Sequence, residues 1–261
     1  MDGRALRILF VGNSFSDDTM QYVPEIAQSY GYDEISLGRL FVGACSVNMH
    51  LNHLEHGLSP YVFSVDRGCG WRDIPSYSIQ DALAYDDWDI IATMGGTGDG
   101  SRATEPDSYA NLPLLVRRIK EIVGEGKRYV FNMTWVGEST HKHPQIVAFD
   151  GNVGLMYELI AQNMREVVAP MPEIDVISPT GTAIQNARTA IEGKLTRDGY
   201  HLDRSLGRYI AGLTFFCAVT GCDPRDVGFY THGMSERNKR IAVESVVRAL
   251  AEPYCVSEIK V

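Results

Sequence analysis

The chain of 261 residues is 44% hydrophobic and 22% charged, with a formal net charge of −9, so it can build a sizeable core and carries no tail of disordered composition. It has no Lys/Arg run that could track a phosphate backbone and no apolar stretch of about 18 residues, which argues against nucleic acid and against a membrane span. Its five cysteines are odd in number and include no CxxC, so neither a zinc ribbon nor a disulfide framework is supported, although a Cys217–Cys222 bridge is conceivable.

The opening "MDGRALRILFVGN" enters a strand almost at once and lacks the apolar run and cleavage site of a signal peptide. Two expectations follow: a cytoplasmic protein, or a secreted or periplasmic one whose export signal has been trimmed. "RILFVG" is followed by a helix expected over Thr19–Tyr30. "ISLGRLFV" leads into an aromatic-rich region with a hairpin, "PYVFSVDRGCGWRDIPSYS". "WDIIATM" precedes a glycine-rich loop and a helix over Tyr109–Val123. "RYVFNMTW" precedes a long loop and a helix over Val153–Val168, and "IDVISP" a helix from Thr182. Two last helices cover Ser205–Thr220 and Glu236–Leu250. Apolar strands alternating with helices imply a parallel sheet covered on both faces. No repeat, low-complexity tract or linker divides residues 1–261, so one domain is expected.

In such sheets ligands bind at the carboxyl ends of the strands. Those ends carry "GNSFS", "VGACS", "GGTGDG", "TWVGES" and "SPTGTA", all rich in small residues that let a substrate approach the backbone closely. In "ILFVGNSFSDD", Gly12 permits a tight turn, Phe15 could pin it, and Ser14 would expose its hydroxyl at the strand end. A helix cap at Ser14 or Ser16 explains the segment equally well. Late in the chain, "TRDGYHLDRSLGRYIAG" places Asp198 and His201 with two residues between them. In a tight turn that spacing lets the carboxylate accept the Nδ1–H, fix the tautomer and leave Nε2 to take a serine proton. The two features together favour a nucleophile.

"VGNSFSDD" and "DGYHLD" resemble the first and last sequence blocks of SGNH hydrolases, the GDSL esterase/lipase family. With "LFVGACSVNMH", "WDIIATM", "MTW" and "SPTGTAIQNAR" the resemblance runs over nearly the whole chain, towards a bacterial subfamily of largely uncharacterised function. It implies a flavodoxin-like three-layer α/β/α sandwich with about five parallel strands. It implies hydrolysis of carboxylic esters through an acyl-enzyme, with Ser14 as nucleophile, His201 as general base, Asp198 as its orienter and the Gly43 N–H as an oxyanion donor. No G-x-S-x-G elbow occurs, so the α/β-hydrolase fold is not implied. The family's third block carries an Asn donor, and the subfamily is expected to carry a glutamine pair. This chain reads "TMGGTGDG" from Thr93 to Gly100 instead. Thr97, an N–H of Gly95 or Gly96, or Asn48 would have to replace that donor.

Other residues have weaker claims. His50, His53 and His56 recur every three residues and read as an exposed polar face with His50 turned to the cleft. No metal or cofactor is expected. His141 and His143 sit in a polar loop that by default is simply solvated and could also line the substrate entrance. Trp135, at a strand end, could offer a platform to a sugar or an acyl chain, or could simply pack under a loop. Thr180 or Thr182 would cap a helix, with Thr182, Gln185 and Asn186 bracing the Asp198–His201 turn. The sum is a serine esterase for small acyl esters, acetyl above all, plausibly on carbohydrates. The rival is a non-catalytic or weakly active relative that binds a glycan or small ester through an altered oxyanion hole.

Overall fold

The structure, a computed structural model, describes residues 4–95 and 103–261. Its centre is a sheet of seven strands: β1 (Ala5–Gly12), β2 (Glu34–Phe41), β3 (Tyr61–Asp66), β4 (Arg72–Tyr77), β5 (Ile90–Met94), β6 (Arg128–Asn132) and β7 (Val176–Ser178), in the order β4-β3-β2-β1-β5-β6-β7. Five of them, β2-β1-β5-β6-β7, run parallel. The hairpin β3–β4 extends one edge antiparallel. Its turn is held by Asp66, whose Oδ1 accepts the N–H groups of Gly68, Cys69 and Gly70.

The helices are α1 (Ser14–Met20), α2 (Val23–Ser29), α3 (Val47–Glu55), α4 (Ile79–Tyr85), α5 (Leu112–Val123), α6 (Pro144–Ala148), α7 (Val153–Asn163), α8 (Thr180–Arg188), α9 (Leu206–Thr220) and α10 (Glu236–Ala251). None of the described helices is long and apolar enough to cross a membrane. Alternation along β1 splits the core in two. Ile8 and Phe10 join α1, α2, α8, α9 and α10 on one face, while Leu9 and Val11 join α3, α4, α5 and α7 on the other. This makes the three-layer α/β/α sandwich, because a parallel strand buried on both sides must be apolar at every position. Helix α9 lies between α1, α8 and α10, which explains why "LTFFCAV" is apolar all round.

The helix expected over Thr19–Tyr30 is two helices and begins earlier, so that Ser14 is itself the first helical residue. Asn13 caps it, and neither Ser14 nor Ser16 does. Helix α8 likewise starts at Thr180 with Pro179 before it and no side-chain cap. The Thr180 hydroxyl donates instead to Asn132 on the neighbouring strand, so tertiary pairing displaces the local cap. Strand order reverses at β1, with β2 on one side and β5 on the other. This is where an open sheet leaves its crevice, and Ser14 follows directly.

Candidate active site

Gly12 closes β1 because the chain turns back too tightly for a side chain: a Cβ there would lie 2.4 Å from Ser16 Oγ. Asn13 then fixes the turn. Its Oδ1 accepts the Phe15 N–H at 3.0 Å, and its Nδ2 donates to the carbonyls of Cys45 (3.0 Å) and Gly95 (3.5 Å). One buried amide thereby ties together the ends of β1, β2 and β5. In the loop after β2, Ala44 holds φ +55°, a left-handed conformation costly for a residue with a Cβ. The N–H groups of Ser14 and Gly43 have no backbone acceptor among the described residues. Both therefore remain free to donate.

The turn opposite is built by Asp198. Its Oδ1 accepts the N–H groups of Tyr200 (2.9 Å) and His201 (2.7 Å), and its Oδ2 accepts His201 Nδ1–H at 2.7 Å. Burial opposes ionisation of Asp198, but the His201 ring and these backbone donors outweigh it and hold the pKa down at about 2. With Nδ1–H engaged, Nε2 is the acceptor. It lies 2.9 Å from Ser14 Oγ. Serine hydroxyl, imidazole and carboxylate form one chain of hydrogen bonds across 187 positions of sequence.

Asp18 holds the two halves together. Its carboxylate is fully buried; it accepts from Arg197 (2.8 Å), Arg208 (2.6 Å) and the Leu202 N–H (2.7 Å). It thus ties the helix that starts at Ser14 to both flanks of the Asp198–His201 turn. The sequence reading passed over it. The available signal was the second aspartate of "SFSDD" and the arginine just before Asp198. Glu138 clamps the same turn from behind: its N–H donates to Gly199 O, and its carboxylate accepts from Thr196 Oγ1 and Arg188.

Several expected site residues stand elsewhere. Trp135 is 2% exposed, stacks on Phe15 at 4.1 Å and donates its Nε1–H to Tyr200 O. It buttresses both turns from beneath and is no open platform, because its ring fills the gap between Phe15 and the turn. Asn48 is exposed, and its Oδ1 accepts from Asn111. His50 is wholly buried, with Nδ1 2.8 Å from the Tyr61 hydroxyl; burial lowers its pKa to about 3. It packs inside and does not face the cleft. Thr182 donates to Pro253 O, and Asn186 accepts from Ser257 N, so these two hold the C-terminal segment. Gln185 reaches the turn only through Arg188, which pairs with Glu138. Gly43 is exposed, and Gly95 is buried against Tyr109. Gly96 and Thr97 lie outside the described residues. His141 and His143 do flank the turn: both rings stack on Tyr200, at 5.4 and 4.5 Å, nearly parallel to it.

No group of three or more His, Cys, Asp and Glu among the described residues could hold a metal ion. Cys217 and Cys222 are buried free thiols, not a bridge.

The chain shares the α/β fold of SGNH-type hydrolases. Acetylxylan esterase Axe2 from Geobacillus stearothermophilus superposes with a TM-score of 0.51 at 17% identity, over 87% of this chain and 96% of that one. TesA superposes at 0.52 with 13% identity, over 84% and 99%. Residues 7–249 match the family described as a domain of unknown function, DUF4886, and the chain belongs to it. A DUF4886 family protein from Bacteroides uniformis is 31% identical, over 98% of each chain, with a TM-score of 0.91. No functionally curated protein matches in sequence.

Proposed function

We propose that this protein is a serine esterase that removes small acyl groups, acetyl foremost, from the hydroxyls of an alcohol such as a carbohydrate. The observation that carries the reading is the unbroken Ser14–His201–Asp198 chain, at 2.9 and 2.7 Å, standing at the switch point of the sheet. Ser14 Oγ attacks the ester carbonyl while His201 Nε2 takes its proton. The tetrahedral oxyanion is met by the Ser14 and Gly43 N–H groups. The imidazolium then gives its proton to the alcohol oxygen as the carbon–oxygen bond breaks. Water repeats the sequence on the acyl-enzyme and releases the acid. Asp198 stays ionised throughout and steadies the imidazolium. The acetyl preference draws on the glycine-rich strand ends and on the acetylxylan esterase of the same fold.

A second reading, an SGNH-fold binder of glycans or small esters with little catalysis, draws on "MGGTGD", which offers no amide where the fold's third donor is expected. Turnover of p-nitrophenyl acetate decides between them. The esterase reading expects hydrolysis above buffer that vanishes in Ser14→Ala, and labelling of the wild type alone by a fluorophosphonate. Equal rates for wild type, variant and buffer overturn it.

A further inference from the structure

An ester split by Ser14 sends its alcohol out past His201, because Nε2 must hand that oxygen its proton. The groups beside His201 on that path form the alcohol's subsite. Tyr200 stands edge-on to the His201 ring at 5.5 Å, and the imidazoles of His143 and His141 stack on Tyr200. The wall has close tolerances. Gly199 has φ +90°, and a Cβ there would come within 2.8 Å of His141 Cδ2. A Cβ on Gly137 would meet Tyr200 Cδ2 at 2.9 Å.

The hydrogen bonds of the wall settle its tautomers. His141 Nδ1 accepts the His143 N–H at 3.0 Å, and His143 Nδ1 accepts the Gln145 N–H at 3.3 Å. Each neutral ring therefore keeps its proton on Nε2, the nitrogen turned from its own backbone. Neither Nε2 has a hydrogen-bond partner among the described residues, and both rings are half-buried. Protonation of His143 would set its Nδ1–H against the Gln145 backbone N–H. Desolvation of His143, with His141 and His201 nearby, also lowers its pKa.

We infer that His143 and His141 form the leaving-alcohol subsite and select a polyhydroxylated alcohol, a sugar unit, by donating neutral Nε2–H bonds to its oxygens. This rests on the esterase reading and adds the residues that recognise the alcohol. A simple alkyl alcohol has no further oxygen to accept these donors, and an anionic group would call for charged imidazoles.

The test compares two acetate esters on the full chain: a mono-O-acetylated methyl pyranoside and ethyl acetate. His143→Ala is expected to lower kcat/KM on the sugar ester about five- to tenfold, mostly through KM, as loss of one hydrogen bond would. Ethyl acetate should change less than twofold, and His143→Gln, which keeps an N–H donor, should recover part of the loss. Equal effects on both esters, or none on either, overturn the subsite. If neither ester is turned over, the esterase reading fails separately, and NMR titration with methyl pyranoside still decides the contact. Shifts at the Nε2 of His143 and His141 support it, and their absence overturns it.

Discussion

Two histidine-bearing regions of this molecule look alike in sequence and differ in everything else. "NMHLNHLEHG" and "TRDGYHLD" both place imidazoles among polar residues. In the first, His50 is fully buried against Tyr61, and desolvation keeps it neutral. In the second, His201 keeps 26% of its side chain exposed, orients on a carboxylate and reaches a hydroxyl 187 residues away. What separates a structural imidazole from a candidate base is thus its set of neighbours and its access to substrate. Residue type and local spacing are shared.

Removing the reactive end of the second region should have the largest effect. Ser14→Ala, or His201→Ala, is expected to reduce kcat on p-nitrophenyl acetate by roughly 10³–10⁶-fold, with the far-ultraviolet spectrum unchanged. Asp198→Asn comes next, with an expected fall of roughly 10²–10⁴, because the amide no longer selects the Nδ1–H tautomer. Asp198 also carries a pH signature. Its folded pKa of about 2 lies below the ordinary value near 3.9. Its stabilising contribution is therefore complete above about pH 4 and lost as pH falls through about 2. Acid unfolding curves of Asp198→Asn should lack that component.

Asp18→Asn asks whether the base region is held from outside. It leaves two arginines facing a buried amide, and loss of a buried pair costs about 3–5 kcal/mol. Thermal unfolding should show that loss, and kcat should fall further than KM rises as the Asp198–His201 turn loosens. The smallest effect belongs to the first region. His50→Gln should cost about 1 kcal/mol from the Tyr61 contact and change acetate turnover less than threefold. The unfolded imidazole takes a proton near pH 6.5, and the buried one only near about 3. Wild-type stability therefore declines as pH falls through that window, and His50→Gln should lack this part of the decline. A large loss of activity in His50→Gln would erase the contrast between the regions.

Much of this was legible from residue order. The strand runs, the β3–β4 hairpin, α9 and α10 follow from periodicity and turn residues. Ser14, Asp198 and His201 stand out because a strand end and a D-x-x-H turn are local patterns. The start of α1 at Ser14 was not legible, since Ser14, Ser16 and Asn13 all cap well and only the bonds from Asn13 to Cys45 and Gly95 select one. Whether Trp135 offers a platform or packs inside was not legible either, because a strand-end tryptophan looks the same whether a ring covers it or solvent does.

The sequence by itself determined the layer architecture and the two turns, since hydrophobic alternation and a carboxylate three residues from an imidazole act over short stretches of chain. Only the tertiary structure decided that the turns face each other. Asp18 reaches Arg197 and Leu202 across 179 and 184 residues. The burial that makes such an ion pair form depends on every element packed around it.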